Sequence, residues 1–240
     1  KWFLEGDTDA RHLRSKIWEG NTSEAFLRAR GLPYEAGQAG PIYGHQWRKW
    51  GAGIEEEKGA GLDQIQRLVQ NLLRDPLSRQ HVVNAWNAAD IEKMALPPCH
   101  FAFQVIGKRR RDSDRDIELS LVVYQRSADL GLGIPFNIAS YSLLLFILCI
   151  KLMAVDPVDE RQWFAGQLTI HMGDAHVYEN HEEALWGQIA RKPFRAPNLW
   201  TSRYLDQTAQ RALLEPSFRL DDFGLADYES HGPVRMKMAV

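Results

Sequence analysis

The sequence YQRSADLGLGIPFNIASY, residues 124–141, joins the most strand-like part of the chain to its most helix-like part. Before it, residues 117–125 are rich in β-branched side chains, which are typical of a strand. After it, residues 136–153 are almost wholly apolar, which indicates a helix at the centre of the core. The polar residues of this stretch are therefore expected between a predicted strand and the central helix.

The rest of the chain adds further strands and helices. Strands are also predicted for residues 81–85, 101–106 and 167–172. Asn21 followed by Glu24 has the pattern of a helix N-cap, and apolar residues recur at helical spacing over residues 62–73. Residues 194–222 show only weak periodicity. The whole pattern predicts a mixed α+β fold with one main sheet.

Composition limits the function classes. At 240 residues and 27.5 kDa without a convincing internal linker, the chain is expected to form a single domain over residues 1–240. A net charge of −2 and the mixed charges of residues 108–116, a predicted solvated hairpin tip, make a nucleic-acid partner unexpected. Two cysteines are too few for a disulfide framework, which favours an intracellular, cytoplasmic location. The longest apolar run, residues 143–150, is shorter than the roughly 20 residues that span a bilayer, so we expect a core helix there.

Residues 95–100 read ALPPCH and contain the candidate nucleophile, Cys99. A thiol reacts as its thiolate, and a nearby arginine lowers the pKa of a thiol. Arg126 is the candidate for that role if the neighbouring strands bring it close. Most cysteines are structural, and Cys149 in the apolar helix is interpreted in this way, whereas the flanking prolines and His100 set Cys99 apart.

The stretch 124–141 offers contacts for a pyrimidine nucleotide. Arg126 and Ser127 are candidate phosphate contacts, because a guanidinium donates in bidentate fashion and a hydroxyl adds a second contact. The Gly131-x-Gly133 pattern is not a dinucleotide fingerprint, since no third glycine follows in register. The amide of Asn137 offers both a donor and an acceptor, as O4 and N3–H of uracil require. The alternative, that Asn137 caps the following helix, stays open.

His176 and Tyr178 lie two residues apart, so in an extended segment they face the same side and could hydrogen-bond a ribose hydroxyl. A metal site built from His171, His176 and His181 is the competing interpretation. A spacing of five residues aligns with neither a helix face nor a strand face, so we expect no metal site.

Long motifs across the chain resemble the thymidylate synthase family. They are WFLEGDT (2–8), IYGHQWR (42–48), AWN (85–87), MALPPCH (94–100), the stretch 124–141, GDAHVYENH (173–181) and MKMAV (236–240). Only residues 52–60 and 198–230 match poorly. Matches of this length are far more specific than a single short motif.

The resemblance implies a methyltransferase that converts dUMP to dTMP, with 5,10-methylenetetrahydrofolate as one-carbon donor and reductant and without a metal. It implies a thymidylate synthase-like α+β fold in which one face of a large mixed sheet forms the interface of a homodimer with shared active sites. The implied catalytic residues are Cys99, which adds to C6 of the uracil, with Tyr43, His100, Arg126 and Asn137.

The resemblance also implies the residues that bind each ligand. The implied dUMP contacts are Arg79 (donated across the dimer), Gln125, Arg126, Ser127, Asn137, His176 and Tyr178. The implied folate contacts are Trp18, Asn21, Leu96, Asp129 (which reads the pterin), Gly133, Phe136 and Val240 (which closes over the site as a lid).

Three departures from the family pattern bear on these expectations. The family's adjacent arginines read Arg79-Gln80 here, with Arg79 expected at the start of a strand. The family's N-terminal phosphate loop and a catalytic glutamate would lie before Lys1, and the segment before Ile17-Trp18 is short. We expect residues upstream of Lys1. The Pro97-Pro98 pair and the Met-Ala-Val ending favour the synthase half of a bifunctional enzyme with a fused upstream dihydrofolate reductase.

Two alternative functions share these motifs. A dUMP or dCMP hydroxymethylase of the same fold would let water attack where the synthase transfers hydride, and Asn137 argues against a cytosine substrate. A catalytically dead RNA-binding or scaffolding relative would be favoured by Gln80. It is opposed by the intact Cys99, Arg126 and Asn137.

Overall fold

The computed structural model describes residues 2–54, 56, 60–156, 158, 161–202 and 220–238. Its α-helices there are α1 (Trp2–Glu5), α2 (Glu24–Ala29), α3 (Gly44–Arg48), α4 (Gln64–Arg74), α5 (Gly133–Val155) and α6 (Glu182–Ile189). Its strands are β1 (Val82–Asn84), β2 (His100–Arg110), β3 (Ser113–Asp129), β4 (Trp163–His176), β5 (Asn198–Thr201) and β6 (Phe223–Ala226). Short 3-10 turns lie at Ala10–His12, Ile91–Lys93, Glu179–His181 and Leu220–Asp222.

The main sheet has four strands in the order β1–β2–β3–β4. The first two pairings are antiparallel, and β3 pairs with β4 in parallel. The predicted mixed α+β fold with one main sheet is therefore confirmed. β5 and β6 form a separate antiparallel pair, in a region for which periodicity predicted nothing. In the main sheet, His100 lies opposite Gln125 and Asp129 opposite His176, so one end of the strands collects predicted site residues.

β3 and α5 form the centre of the core. Successive side chains of a strand point to opposite faces. On β3 the core face is buried at Ile117, Leu119, Leu121 and Val123, while the residues between them are only half buried. The core face of the sheet is thus continuous with the apolar side of the helices, and the opposite face keeps its side chains partly accessible.

The helix α5 is longer than the apolar run 143–150 suggested. It has 23 residues and contains an 18-residue stretch with a mean hydropathy of 2.3. By length and composition alone it is therefore apolar enough to cross a bilayer, and the argument from a short run was wrong. Its packing supports the interpretation as a core helix, because many of its side chains are buried. They are Tyr141, Leu144, Leu145, Ile147, Leu148, Cys149, Ile150 and Leu152.

The N-terminus of α2 differs from the prediction. Ser23 caps this helix, and its hydroxyl accepts a hydrogen bond from the N–H of Phe26 at 3.3 Å. Asn21 is buried in the turn before, two residues too early for its short side chain to reach that N–H. The predicted helix over residues 62–73 is confirmed as α4, which begins after its N-cap Asp63.

Two predictions around the sheet also need correction. β2 continues to Arg110 and β3 resumes at Ser113, so the hairpin tip is much shorter than residues 108–116. Arg109 still pairs with Ile117, and after a register shift Arg110 pairs with Ser113, so the ladder reaches into this charged segment. Arg79 precedes β1 by three residues, so it does not begin the strand.

Candidate active site

Cys99 immediately precedes β2, where that strand meets β3. Its backbone N–H donates to the hydroxyl of Tyr43 at 2.9 Å, and its carbonyl accepts from the N–H of Arg126 at 2.8 Å. Tyr43 itself has a positive φ of 32°, a rare conformation for a residue other than glycine. Such backbone strain persists only where the surroundings hold it, commonly at functional sites. Two separate parts of the fold therefore fix the position of the cysteine.

The guanidinium of Arg126 lies beside the thiol. Its Nε donates to the carbonyl of Pro98 at 3.0 Å and its Nη2 to that of Pro97 at 2.9 Å. The same Nη2 lies 3.9 Å from the sulfur of Cys99. The strands thus bring arginine and cysteine together as expected, and the proline pair holds the guanidinium through its carbonyls. Nη1 makes no hydrogen bond within the described part of the chain, which leaves donors for an anion.

Burial dominates the acidity of the thiol. Burial raises the pKa of Cys99 above its ordinary value, whereas the charge of Arg126 and a hydrogen bond with Tyr43 lower it. Arg126 therefore lowers the pKa of the thiol as expected, but the opposing effect of burial is larger and the net shift is upward. The physical reason is that Arg126 is exposed, and water screens its charge, while the sulfur loses most of its own hydration.

His100 packs against Tyr43, the residue whose hydroxyl contacts the backbone of Cys99. Its ring stacks on Tyr43 with centroids 4.3 Å apart, and its Nδ1 shares a hydrogen bond of 2.6 Å with the hydroxyl of Tyr141. Burial lowers the pKa of His100 to about 3, so the imidazole is neutral. Burial also raises the pKa of Tyr43 and of Tyr141, so both keep their protons. These three rings form a neutral support for the thiol side of the site.

Asn137 lies in the second turn of α5 with its amide held in one orientation. Gln125, which is buried, donates from Nε2 to the carbonyl of Ser127 at 3.0 Å and to Oδ1 of Asn137 at 3.1 Å. A carbonyl accepts only, so this end of Gln125 must be the NH₂ group, and the atom of Asn137 that faces it must be the oxygen. Gln125 therefore orients the amide of Asn137.

The helix-cap alternative for Asn137 was wrong. α5 already begins at Gly133, before the predicted start at residue 136. The carboxylate of Asp129 organises this early start, because it accepts from the N–H groups of Gly131 at 2.9 Å and of Leu132 and Gly133 at 3.3 Å. Asp129 thus has a structural role in the unliganded protein, next to the position expected for the pterin.

His176 and Tyr178 border the other side of this turn. His176 ends β4 opposite Asp129, and the N–H of Leu130 donates to its carbonyl at 3.0 Å. The rings of His176 and Tyr178 meet edge to face with centroids 5.0 Å apart, which agrees with the prediction that they share one side.

The candidate folate residues lie in two groups. Trp18 is in ring contact with Tyr43, centroids 5.9 Å apart, and Asn21 is buried nearby in sequence. Gly133 and Phe136 lie in the first turn of α5, and the Phe136 ring is 48 % exposed. Leu96 is half buried just before the proline pair. Val240 lies outside the described residues.

Arg79 is separated from this group. Gln104 donates to its backbone carbonyl at 3.0 Å, and Gln104 lies opposite Val122 in the sheet. Val122 is four residues before Arg126, about 13 Å along a strand. A single chain therefore does not bring Arg79 to the thiol. Across the described ranges, no group of three or more His, Cys, Asp or Glu side chains is arranged to hold a metal ion.

The sequence prediction gave Tyr141 no role and considered His181 only as a metal ligand. Tyr141 follows Asn137 by four residues on the same helix, a spacing that stacks side chains on one face and was available as a signal. The contacts of His181 with Lys237 and Asp129 carried no comparable signal, because those residues are distant in the sequence.

The arrangement defines the class of protein. A cysteine fixed beside an arginine, with an amide held in one orientation, is an arrangement typical of enzymes that attack their substrates through sulfur. The comparisons identify the family: a sequence model described as thymidylate synthase matches residues 1–240. The chain belongs to the thymidylate synthase family.

The similar proteins come from several lineages. A Saccharomyces cerevisiae protein named thymidylate synthase is 39% identical over 100% of this chain and 77% of its own length. One from equine herpesvirus 2 with the same name is 42% identical over 100% of this chain and 78% of its own length. The bifunctional dihydrofolate reductase-thymidylate synthase of Leishmania major is 42% identical over 100% of this chain and 44% of its own length.

Proposed function

We propose that this chain carries out the reductive methylation of dUMP to dTMP, with 5,10-methylenetetrahydrofolate as co-substrate and dihydrofolate as the second product. The observation that carries the proposal is the Cys99 sulfur 3.9 Å from the guanidinium of Arg126, in a chain of the thymidylate synthase family. The folate supplies both the one-carbon unit and the hydride that completes the methyl group. The residues of the chain supply the nucleophile, the alignment and a dry environment.

Cys99 is the group that activates the pyrimidine. The sulfur adds as thiolate to C6, which places the electron pair of the former double bond on C5, the carbon that must form the new bond. Because burial raises the pKa of the free thiol, the thiolate has to be generated when substrate binds. The proton of the thiol passes to solvent water, and Arg126 is placed to stabilise the thiolate that remains, since closing the site removes the water that screens its charge.

Asn137 selects uracil by hydrogen bonding. Its oxygen already accepts from Gln125, and a carbonyl oxygen has room for a second bond from N3–H. Its NH₂ group then points to O4. A cytosine would offer a donor where O4 accepts and lacks the N3 hydrogen, so both contacts would fail. Gln125 is in this proposal a positioning residue.

The chemistry around Asp129 fits a pterin with an aromatic tail. The rings of Trp18 and the exposed Phe136 offer flat apolar faces, and Asp129 offers a carboxylate to the N–H groups of a pterin. Asn21, Leu96 and the region of Val240 complete the proposed folate contacts.

A second copy of the chain is proposed to cover the outer face of the main sheet and to donate Arg79. This face holds apolar and aromatic side chains that are exposed or half buried, and the rings of Tyr124 and His171 stack there with centroids 5.5 Å apart. The outer face comprises Ala102, Gln104, Ile106, Val122, Tyr124, Phe164, Thr169 and His171. A second copy would also explain why Arg79 is remote from the thiol in its own chain.

Subunit mixing tests the shared site. Mixing Arg79→Ala with Cys99→Ala subunits yields one hybrid site with both groups intact. Each hybrid dimer should therefore recover about half of the unmodified activity, and a fully exchanged equimolar mixture, in which about half of the dimers are hybrids, should recover about a quarter. Mixing Arg126→Ala with Cys99→Ala is the matched control and should recover nothing, because both groups belong to one chain. No recovery in well-exchanged Arg79 hybrids contradicts the shared site.

Two remaining proposals concern context. We propose an intracellular location, because the reaction needs Cys99 as a reduced thiol. A fused upstream dihydrofolate reductase remains a prediction, and the Leishmania relative carries both names in one protein.

Dihydrofolate formation is the direct test of the reaction. Incubation with dUMP and the methylene folate should release dTMP and dihydrofolate in equal amounts, and 5-fluoro-dUMP with the folate should give a covalent complex with the unmodified protein but not with Cys99→Ser. Hydroxymethyl-dUMP without dihydrofolate would identify a hydroxymethylase. No covalent complex would favour the catalytically dead relative.

A further inference from the structure

His181, which is 0 % exposed, lies where three parts of the site meet. Its Nε2 donates to the carbonyl of Lys237 at 2.6 Å. The edge of its ring packs on Tyr178, with centroids 5.5 Å apart. Its Nδ1 faces the carboxylate of Asp129 at 3.8 Å. One side chain therefore contacts the C-terminal tail (residues 227–238), a proposed nucleotide contact and a proposed folate contact.

The two ring nitrogens of His181 have different surroundings. A backbone carbonyl only accepts, so Nε2 must carry a hydrogen. Nδ1 is buried and makes no hydrogen bond within the described residues. Its distance from Asp129 is too long for one. An unpartnered buried nitrogen is costly and does not stabilise the position of the ring. The hydrogen bond from Nε2 to the tail therefore holds the ring in place.

The tail also packs directly over the turn after β3. A Cβ added at Gly131 would lie 2.8 Å from Nδ1 of His181 and 3.2 Å from the sulfur of Met236, so both side chains rest on this glycine. Farther along the tail, the hydrogen bonds from Arg191 to Gly232 and between His231 and Lys192 are exposed. Exposed bonds compete with water, so the part-buried bond to His181 is the stronger attachment.

We propose that His181 is a positioning residue that fastens the C-terminal tail over the Asp129 turn and thereby sets the affinity for the folate. This inference rests on the proposed function for its effect on turnover, while the attachment itself can be measured without turnover. Loss of the attachment should leave nucleotide binding intact, because Cys99, Arg126 and Asn137 are held by strands β2 and β3 and by Gln125. Tyr178 keeps its ring contact with His176.

Four variants separate the attachment from general damage. His181→Gln can keep a donor near the position of Nε2, and His181→Leu removes it. Gly131→Ala inserts a methyl group between His181 and Met236, where the backbone does not have a positive φ and accepts alanine. Gly187→Ala is the matched control, because its Cβ would meet nothing within 4 Å.

Amide hydrogen exchange of residues 234–238 measures how readily the tail opens. The dUMP Kd measures nucleotide binding, and the KM for the methylene folate reports on folate binding. We expect His181→Leu and Gly131→Ala to raise exchange and the folate KM by about tenfold each, the order of one lost buried hydrogen bond, with the dUMP Kd within about twofold. His181→Gln should recover most of both, and Gly187→Ala should change neither.

Three results would overturn the inference. They are unchanged tail exchange in His181→Leu, an equal loss of dUMP affinity, and no difference between the glutamine and leucine variants. If the unmodified protein does not turn over dUMP, the proposed function fails, but the exchange experiment still decides whether His181 holds the tail.

Discussion

The nucleotide side and the tail side of the site are held by different kinds of interaction. On the nucleotide side, the backbone of β2 and β3 sets Cys99 beside Arg126, and the register continues through His100 and Gln125. On the tail side, one part-buried hydrogen bond from His181 and the packing of Met236 secure the chain. Strand ladders open cooperatively, whereas a segment with few buried contacts opens at low free energy. The nucleotide side is therefore expected to be preorganised, and the tail side is expected to open at a lower free energy.

Removing the nucleophile should have the largest effect and should leave the preorganised side otherwise unchanged. Cys99→Ser is expected to reduce turnover by about 10⁴-fold or more, because a hydroxyl without an adjacent base is a poor nucleophile. Neutral His100 lies under Tyr43 and forms its hydrogen bond with Tyr141, so it does not provide that base. Steady-state rates, together with the dUMP Kd by calorimetry, check this prediction.

A serine variant with near-normal turnover would remove Cys99 from the mechanism. Cys149→Ser is the control in the same protein. That cysteine is buried in α5, so the change should affect stability rather than rate.

Changing Asn137, the proposed base reader, tests whether this amide selects the base. Asn137→Asp should lower dUMP turnover and raise acceptance of dCMP, because a carboxylate repels O4 and accepts from the N4 amino group. A site built to hydrogen-bond its substrate can discriminate by up to roughly 10⁴, and mediation by ordered water would reduce this effect. The ratio of kcat/KM for the two nucleotides is the measurement. If the aspartate variant keeps its full preference for dUMP, another group reads the base.

Much of the nucleotide side was predictable from sequence, whereas the attachment of the tail through His181 was not. Cys99, Arg126 and Asn137 stand in long motifs and differ in chemistry from their apolar neighbours. The start of α5 was predicted too late because Asp129 reaches forward to its first N–H groups, a contact that apolar periodicity does not record. The role of His181 depends on Lys237, 56 residues away, and no local pattern encodes that pairing.

The pH dependence of alkylation tests how burial and Arg126 together set the pKa of the unliganded Cys99 thiol on the nucleotide side. Because burial raises the pKa of Cys99, alkylation by iodoacetamide should increase with pH and reach its midpoint above the ordinary value for a cysteine. Arg126→Gln should move the midpoint higher still, since Arg126 lowers this pKa. A dUMP analogue should protect the thiol.

A midpoint below that of a free cysteine would show that Arg126 outweighs burial. His100 does not contribute to this profile, because its pKa of about 3 leaves it neutral throughout. Stopped-flow alkylation of Cys149→Ser protein isolates Cys99, the other cysteine of the chain.

A pair of glycine substitutions compares a tightly packed strand position on the nucleotide side with an open helix position. Their expected effects are the smallest of those predicted for this protein. A Cβ at Gly173 in β4 would lie 2.9 Å from the backbone oxygen of Arg126, and neither strand can move aside without breaking the ladder. Gly173→Ala should therefore lower the free energy of unfolding by about 1–3 kcal/mol. Gly187 in α6 has open space around it, so Gly187→Ala should raise that free energy by up to about 1 kcal/mol, because alanine favours the helix. Urea unfolding of both variants measures the difference, and equal effects would mean that the backbone contact at Gly173 does not hold the two strands rigidly.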